Sequence, residues 1–213
     1  MHNQTKIVLS AKELELVNNT DWILTKKIII KKVIDLFGLL LVPMQQITTL
    51  YKSNLPMELY LKDAKIFKGE SYKELPYVML DYPRYFEKQN TLAIRTLFWW
   101  GNFFSVSLQL SGEIKQQAIP NLLAAFVEMQ NAGFWICVND HPWEHNFDNE
   151  NYVPIDRLSF EEFNLILNRK LFVKISKKMS LQQWDGIALF IEQTFKEMVV
   201  LLNTNYPNGK KDL

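Results

Sequence analysis

The chain has 213 residues, a length that suits one domain, and its 24 basic and 23 acidic residues leave a net charge of +1. Hydrophobic residues make up 48% and aromatic residues 13%, which excludes a disordered chain and indicates a sizeable core. Because a duplex binder normally clusters Lys and Arg to displace counterions, nucleic acid is not an expected partner.

The chain shows no segment that would place it in a membrane. Its beginning, MHNQTKIVLSAKELE, lacks the continuous apolar run of a signal peptide. The most apolar stretch, VIDLFGLLLVPM, is interrupted by Asp35 and Pro43 and is too short to cross a bilayer. We therefore expect a cytoplasmic protein with no membrane partner.

The first 55 residues predict a helical N-terminal part. Ser10 and Glu13 have the spacing of a capping box, which predicts a short helix starting there. A longer helix is predicted from about Asp21 to Tyr51, because apolar residues recur at helical spacing and lysines fall on the other side. Pro43 is expected to kink or end the regular part of this helix, since its ring removes one N–H donor.

From Leu75 on, short apolar runs indicate strands. LPYVMLDYP is closed by proline, and TLAIRTLFWW and FFSVSLQL flank Gly101-Asn102, which predicts a hairpin with a two-residue type II′ turn. In that register Trp99 would lie opposite Phe104, and Arg95 would lie opposite Leu108. Arg95 would then be the odd member of an apolar face.

Helices and strands are predicted to alternate after the hairpin. Pro120 suits a first helical position, so a helix is expected to start there and to stop at Gly133. FWICVN is predicted to be a buried strand that holds Cys137, the only cysteine. Further helices are expected after the capping serines Ser159 and Ser180.

The segment KLFVKISKK alternates between apolar and basic residues and predicts the last strand. Its apolar side chains are expected to point inward and its lysines to form a solvated face that protects a sheet edge. The inward set is Leu171, Val173 and Ile175, and the outward set is Lys170, Lys174 and Lys178.

This order of elements predicts an α+β fold. We expect an antiparallel or mixed sheet of about five strands, with N-terminal helices and with helices packed on the sheet. The predicted organisation is a single domain over residues 1–213. It comprises a helical part (1–55), a sheet-and-helix core (56–205) and a short tail (206–213).

Four blocks occur in order along the chain: YKELPYVMLDYPRYF, LFWWGNFFSVSLQL, FWICVNDHPWEH, and LNRKLFVKISKKMS followed by the terminal helix. Their order and spacing resemble those of the YktB-like family, small bacterial proteins without an assigned activity. The resemblance covers the C-terminal two-thirds of the chain and implies an α+β fold of unassigned function. Only Asp140-His141 carries over residue by residue, and no role comes with it.

The stretch NDHPWEHNFDNENY contains His141, Glu144 and His145 in the order H-x-x-E-H, which can hold zinc when it lies on a helix. Pro142 and the polar run after it predict a loop instead, so we expect no constitutive metal and no other cofactor. Asp140 and His141 could simply end the strand through backbone hydrogen bonds. Alternatively, the loop could contribute to a polar site, since connections of about 20 residues are often functional.

A second group of candidate residues comprises Asp81, Arg84 and Arg95. If their strands pair antiparallel, Asp81 and Arg95 lie toward one sheet edge, together with Asp140 and His141. A buried arginine needs a partner, so pairing with Asp81 is the favoured interpretation. The alternative is an anion site in which Arg84 or Arg95 binds a carboxylate or phosphate.

The aromatic density of the hairpin is the third feature, because rings beside polar side chains can form a stacking platform. We therefore predict a non-enzymatic module that binds a small molecule or a protein in an aromatic, Arg-containing cleft. Its candidate residues are Asp81, Arg84, Arg95, Trp99, Trp100, Asp140, His141 and Trp143. The alternatives are a metal-dependent hydrolase that uses His141, Glu144 and His145, and a structural or assembly protein without a ligand.

Overall fold

The computed structural model describes residues 7–51 and 63–202, and these residues form an α+β fold. The predicted boundary between residues 55 and 56 and the predicted tail at 206–213 lie outside the described residues. The helices are α1 (Ala11–Asn18), α2 (Thr20–Leu50), α3 (Gly112–Ala124), α4 (Phe126–Asn131), α5 (Phe160–Arg169) and α6 (Ile187–Leu201). The strands are β1 (Lys65–Tyr72), β2 (Leu75–Phe86), β3 (Thr91–Trp99), β4 (Phe103–Ser111), β5 (Trp135–Cys137), β6 (Tyr152–Pro154) and β7 (Phe172–Ser180).

The strands form one antiparallel sheet in the order β1-β2-β3-β4-β7-β5-β6. The described residues therefore contain seven strands, whereas the sequence predicted about five. The two additional strands, β1 and β6, lie at the two edges of the sheet. Edge strands are commonly short or charged, and neither β1, with the sequence KIFKGESY, nor the three-residue β6 shows the apolar run used to predict strands.

The two faces of the sheet are covered differently. Successive residues of a strand point to opposite faces, and one set packs against helices α2, α3 and α6 in the main core. Members of this set include Leu80, Phe98, Phe104 and Ile175. The other face carries more polar side chains, and the long loop from Val138 to Asn151 folds back over part of it. We call this segment the 138–151 loop.

The hairpin between β3 and β4 has a different register from the predicted one. Trp99 pairs with Phe103, so the connection has three residues rather than two, with Gly101 at a φ of 72°. The shift of one residue changes which side chains share a face. Arg95 consequently lies opposite Ser107, on the more polar face, and not opposite Leu108.

Pro43, which was expected to kink or end the regular part of α2, and Pro120, which was expected to start a helix, both lie inside helices. α2 continues through Pro43 to Leu50, and α3 contains Pro120 and begins eight residues before it. Ser111, the last residue of β4, is the N-cap of α3, so the strand leads directly into the helix. Capping boxes at Ser10 and Ser159 are confirmed.

The alternation predicted for β7 is only partly correct. Val173 and Ile175 are buried as expected, but Leu171 is almost fully exposed. Lys174, predicted to be solvated, is buried, because the 138–151 loop covers the face to which this lysine points. Over the described ranges 7–51 and 63–202, no helix is both long and apolar enough to cross a membrane.

Candidate functional site

Asp81 and Arg95 form a two-pronged ion pair on the polar face of the sheet. They are paired residues of the neighbouring strands β2 and β3. The Asp81 carboxylate accepts hydrogen bonds from Arg95 Nε at 2.7 Å and from Nη2 at 2.8 Å. Both side chains are largely buried, and the fork geometry matches that of a strong bidentate pair. The favoured interpretation of Asp81 and Arg95 as partners is therefore confirmed.

His145 lies between two cationic side chains. Its Nε2 is 3.4 Å from Arg95 Nη1, and its Nδ1 is 3.2 Å from Lys174 Nζ. Burial, followed by the charges of Lys174 and Arg95, holds the pKa of His145 well below its usual value. A neutral imidazole carries one N–H and one acceptor nitrogen, so only one of the two nitrogens can accept from a cation.

Lys174 is 1% exposed and is surrounded by oxygen and nitrogen acceptors of the 138–151 loop. Its Nζ donates to the backbone carbonyls of Pro142 at 3.0 Å and Glu144 at 2.6 Å. Burial lowers the pKa of Lys174 to about 7. An uncharged amine would still donate to both carbonyls and could accept from His145 Nδ1, which would leave Nε2 to accept from Arg95.

Tyr72, at the end of β1, fixes the same loop from the other side. Its hydroxyl oxygen accepts from the backbone N–H of His145 at 2.7 Å and of Asn146 at 3.1 Å. The hydroxyl is also 3.1 Å from the Glu144 carboxylate, to which it donates. Burial raises the pKa of Tyr72 to about 12, so the hydroxyl keeps its proton at neutral pH. The loop is thus attached to both β1 and β7 at Glu144 and His145.

Cys137 lies under the base of the loop. The thiol is buried and donates to the side-chain oxygen of Asn151 at 3.4 Å. Burial raises the pKa of Cys137, which opposes the formation of the reactive thiolate. Nearby, the Tyr152 hydroxyl accepts from Ser176 at 2.8 Å, and Ser176 lies 2.7 Å from Ser107. These groups bond to one another within the core.

One aromatic side chain of the loop is exposed. Trp143 is 55% exposed, and its ring lies over the guanidinium of Arg95, with 5.4 Å between Arg95 Cζ and the ring centroid. Its ring centroid is 6.0 Å from that of Phe86, and Arg95 Cζ is 6.0 Å from the Phe67 ring. We call Phe67, Phe86, Arg95 and Trp143 the Trp143 shelf.

Arg84, Trp99 and Trp100, which were also predicted as site residues, do not belong to this shelf and contact other parts of the protein. Arg84 donates from Nε to the Asp63 carbonyl at 2.8 Å. Trp99 is buried and donates from its ring nitrogen to the Tyr72 carbonyl, and Trp100 packs edge-on against Phe98. These contacts do not support the predicted cleft at Trp99 and Trp100.

Asp140 and His141 are both exposed. Asp140 forms a 2.6 Å ion pair with Lys170, which lowers the pKa of Asp140. His141 lies four residues after the end of β5 and donates its backbone N–H to the side chain of Asn139 at 2.8 Å. The structure thus brings His145, rather than His141, to Arg95.

The geometry gives the metal-dependent alternative no support. Among residues 7–51 and 63–202, no three His, Cys, Asp or Glu side chains are grouped so as to hold a metal ion. The two nitrogens of His145 face Arg95 and Lys174, and the Glu144 carboxylate accepts from Tyr72. A zinc ion would need these nitrogen lone pairs and would be repelled by Arg95 and a protonated Lys174.

Lys174 and Tyr72 were missed as site residues because their roles depend on the path of a loop. The alternation of β7 correctly places Lys174 and Val173 on opposite faces of the sheet. Alternation cannot show, however, that a distant segment of the chain covers the face with Lys174. The one available signal was the length of the connection, since a 14-residue loop within a compact fold must lie against some surface.

No protein-family model, no curated protein and no solved structure matches the chain. The resemblance to the YktB-like family therefore stays a prediction.

Proposed function

We propose that this protein is a non-enzymatic binding module in which the 138–151 loop presents Trp143 to a segment of a partner protein. The observation that carries the proposal is an exposed tryptophan on a loop whose backbone is fixed at the two following residues. Tryptophan is among the residues that most often dominate binding energies at protein interfaces. A rigid support lets such a side chain bind without a further loss of conformational entropy.

The surroundings of Trp143 favour a protein segment over a small molecule. Small-molecule sites are usually concave and enclose most of the ligand. Trp143 is instead half exposed on the shelf, whereas grooves along α1, α2 and α6 lie elsewhere on the described part of the protein. Asp81 already accepts hydrogen bonds from two nitrogens of Arg95, so Arg95 does not offer both of them to an anion. The shelf instead offers an aromatic ring that lies against a cation, together with apolar ring edges.

The chemistry of the buried groups supports binding rather than catalysis. A nucleophile has to be activated by a nearby base and must be reachable by a substrate. Cys137 is buried and hydrogen-bonded to Asn151, Lys174 is buried beneath the loop, and His145 is the buried loop residue that contacts Lys174. We regard these groups as the support of the shelf.

The proposal includes a cytoplasmic location, with neither nucleic acid nor a membrane as partner. The near-zero net charge supports the first exclusion, since phosphate binding depends on clustered cations. The sequence blocks that resemble the YktB-like family are compatible with a function of this kind, because no activity is assigned there.

The test is a selection of displayed peptides of random sequence on the immobilised protein, followed by titration of the enriched peptides. Trp143→Ala should weaken their binding at least tenfold, as expected for a central aromatic anchor. Trp184→Ala is the matched control, because Trp184 is also partly exposed but packs on Phe104, on the helical side of the sheet. Its affinity should equal that of the wild type.

Two outcomes would overturn the proposal. The first is enrichment of peptides whose affinity is unchanged by Trp143→Ala, which would place the binding surface elsewhere. The second is a failure to enrich any peptide in repeated selections. Circular dichroism of both variants should match the wild type, so that a loss of binding reports on the shelf and not on folding.

A further inference from the structure

The N-terminal part of the structure exposes an unusual amount of apolar surface. Residues 7–28, which we call the arm, comprise the chain before α1, α1 itself and the first turns of α2. Half of the twenty exposed large apolar side chains in the described part of the protein lie in these 22 residues. They are Ile7, Val8, Leu9, Leu14, Leu16, Val17, Trp22, Ile23, Leu24 and Ile28.

Helix α1 buries no residue within the described part of the chain. Its capping box at Ser10 and Glu13 is complete, with the serine hydroxyl and the glutamate exchanging hydrogen bonds with the backbone. An isolated helix of eight residues is nevertheless unstable in water, because the cost of nucleation exceeds the gain from so few hydrogen bonds. A surface that packs against α1 would supply the missing stabilisation.

The apolar side chains of the arm converge on a groove between α1 and α2. Leu16 and Val17 form one wall, Trp22 and Ile23 form the other, and the groove encloses about 480 Å³. The buried stripe of α2 begins only at Ile30, where the helix meets the sheet. The first turns of α2 therefore present exposed apolar side chains ahead of this stripe, and Lys26 reaches the sheet there through its ion pair with Glu70 of β1.

The segment 52–62 follows the opposite end of α2. At about 1.5 Å per residue, the 31-residue helix places that end roughly 45 Å from the groove. We therefore consider a second molecule, rather than segment 52–62, as the occupant of the groove. Its chemistry has to match both the apolar walls and the charges beside them.

The charges of the arm point to a second copy of the same chain. Residues 11–21 of the arm, the first half, have a net charge of −2, and residues 22–32, the second half, which runs four residues beyond the arm, have a net charge of +4. The charged residues are Lys12, Glu13, Glu15 and Asp21 in the first half, and Lys26, Lys27, Lys31 and Lys32 in the second half. Lys26 already pairs with Glu70 of β1 and Lys31 with Asp35, so the charge offered to a partner by the second half comes chiefly from Lys27 and Lys32. An antiparallel two-fold pairing places each acidic half against the basic half of the other copy.

We propose that the protein forms a homodimer through antiparallel pairing of the arms about a two-fold axis near Asp21 and Trp22. The 22 residues of the arm fall within the roughly 20–30 residues that each partner contributes to a typical stable interface. A membrane surface fits less well, because an interfacial helix carries mainly Lys and Arg on its polar face, whereas α1 carries Glu13 and Glu15. The dimer is independent of the proposed binding by the Trp143 shelf.

Sedimentation equilibrium of the full chain tests the dimer. Two chains of 25.1 kDa should give a mass of about 50 kDa at micromolar concentration. Val17→Glu should raise the dissociation constant at least tenfold, since it places a carboxylate in the apolar groove. Val42→Glu is the matched control, because Val42 is similarly exposed (59%, against 67% for Val17) but lies on α2 outside the arm. Its dissociation constant should be unchanged.

Crosslinking tests the orientation. In a Cys137→Ser background, which removes the only cysteine, Thr20→Cys should form an interchain disulfide under mild oxidation because it lies near the proposed axis. Lys12→Cys lies far from that axis in an antiparallel pair and should remain reduced. A crosslink at both positions would indicate parallel pairing and overturn the proposed geometry.

Three results would overturn the dimer itself: a mass of 25 kDa at all concentrations up to about 100 µM, an equal effect of Val17→Glu and Val42→Glu, or a monomer that sediments with vesicles of anionic phospholipid. Each of these results leaves the peptide-binding test of Trp143 unaffected. Failure of one proposal can therefore be told apart from failure of the other.

Discussion

The Asp81 carboxylate accepts two hydrogen bonds from the Arg95 guanidinium, at 2.7 and 2.8 Å, and the face of the sheet that carries this pair is covered by the loop that holds His145. The pair holds Arg95 in a fixed orientation with its third nitrogen toward His145 and its plane beneath Trp143. A salt bridge of two neighbouring strands thus positions a loop residue 50 positions later in the chain.

Removing one member of this pair should destabilise the protein strongly. Asp81→Ala leaves the Arg95 charge largely buried without its counter-charge, so the free energy of unfolding should fall by about 3–5 kcal/mol. Asp35→Ala is the control, because Asp35 forms an exposed pair with Lys31 and should change stability by less than about 1 kcal/mol. Urea unfolding monitored by circular dichroism measures both. Equal effects of the two substitutions would show that the Asp81–Arg95 pair contributes little.

Lys174 should make stability depend on pH above neutrality. Its pKa is about 7 in the folded protein and near its ordinary value of 10.5 in the unfolded chain. Between these two values the unfolded chain binds the proton and the folded protein does not, so stability rises with pH. The slope from this group can reach about 1.4 kcal/mol per pH unit.

The measurement is the free energy of unfolding from pH 7 to pH 9.5 for the wild type and for Lys174→Met. The upper limit avoids the range in which Tyr72 would lose its proton in the unfolded chain. Methionine cannot titrate, so the stability of Lys174→Met should increase less steeply with pH than that of the wild type. Parallel curves for the two proteins would contradict a lysine that is uncharged in the folded state.

The Tyr72 hydroxyl should hold the 138–151 loop in place. Tyr72→Phe leaves the backbone N–H groups of His145 and Asn146 without their acceptor, which costs about 1–3 kcal/mol for buried donors. Tyr77→Phe is the control, because Tyr77 packs edge-on against Tyr72 but is not the acceptor for these two amides. Hydrogen exchange of the two loop amides should accelerate in Tyr72→Phe and stay unchanged in Tyr77→Phe.

The contrast between the predicted and observed β7 shows what local patterns can and cannot reveal. Alternation correctly identified Val173 and Ile175 as core residues, and capping boxes correctly located the starts of α1 and α5. Lys174 has the same periodicity as an exposed lysine. Its burial depends on carbonyl groups about 30 positions earlier in the chain. Local periodicity carries no information about such distant contacts.

The hairpin shows a similar limit. Gly101 was correctly located at the turn, but a two-residue and a three-residue connection both accommodate a glycine of positive φ. The choice between them shifts the register by one residue and moves Arg95 from an apolar to a polar face. The candidate site therefore depended on a detail of the turn that the dipeptide Gly101-Asn102 does not specify.

The edge strands β1 and β6 were not predicted, because their sequences lack the apolar runs that mark a strand. β1 contains lysines, a glycine and a glutamate, a composition that suits an edge but does not stand out from a loop. Phe67 and Tyr72, which contribute to the shelf and to the loop anchor, lie on β1. Both residues were consequently absent from the predicted site.

A last prediction concerns the junction between β4 and α3, where Gly112 has a φ of 62°. A Cβ atom at this position would overlap the backbone oxygen of Gln89 and the side-chain oxygen of Asn90, which itself accepts from the N–H of Glu113. Gly101 has a similar φ of 72°, but a Cβ there would meet open space. Substitution of Gly101 therefore tests backbone strain alone, whereas substitution of Gly112 tests backbone strain together with steric overlap.

Gly101→Ala should cost about 1–2 kcal/mol, the penalty for an alanine in the left-handed region. Gly112→Ala should cost this amount and a further 1–3 kcal/mol or so, because the backbone at Gln89 cannot move away without disturbing the end of β2. Chemical denaturation of the two variants at equal protein concentration gives the difference directly. Equal losses of stability would show that the β2–β3 connection yields freely, in which case the tight approach of Gln89 and Asn90 to the start of α3 does not constrain the fold.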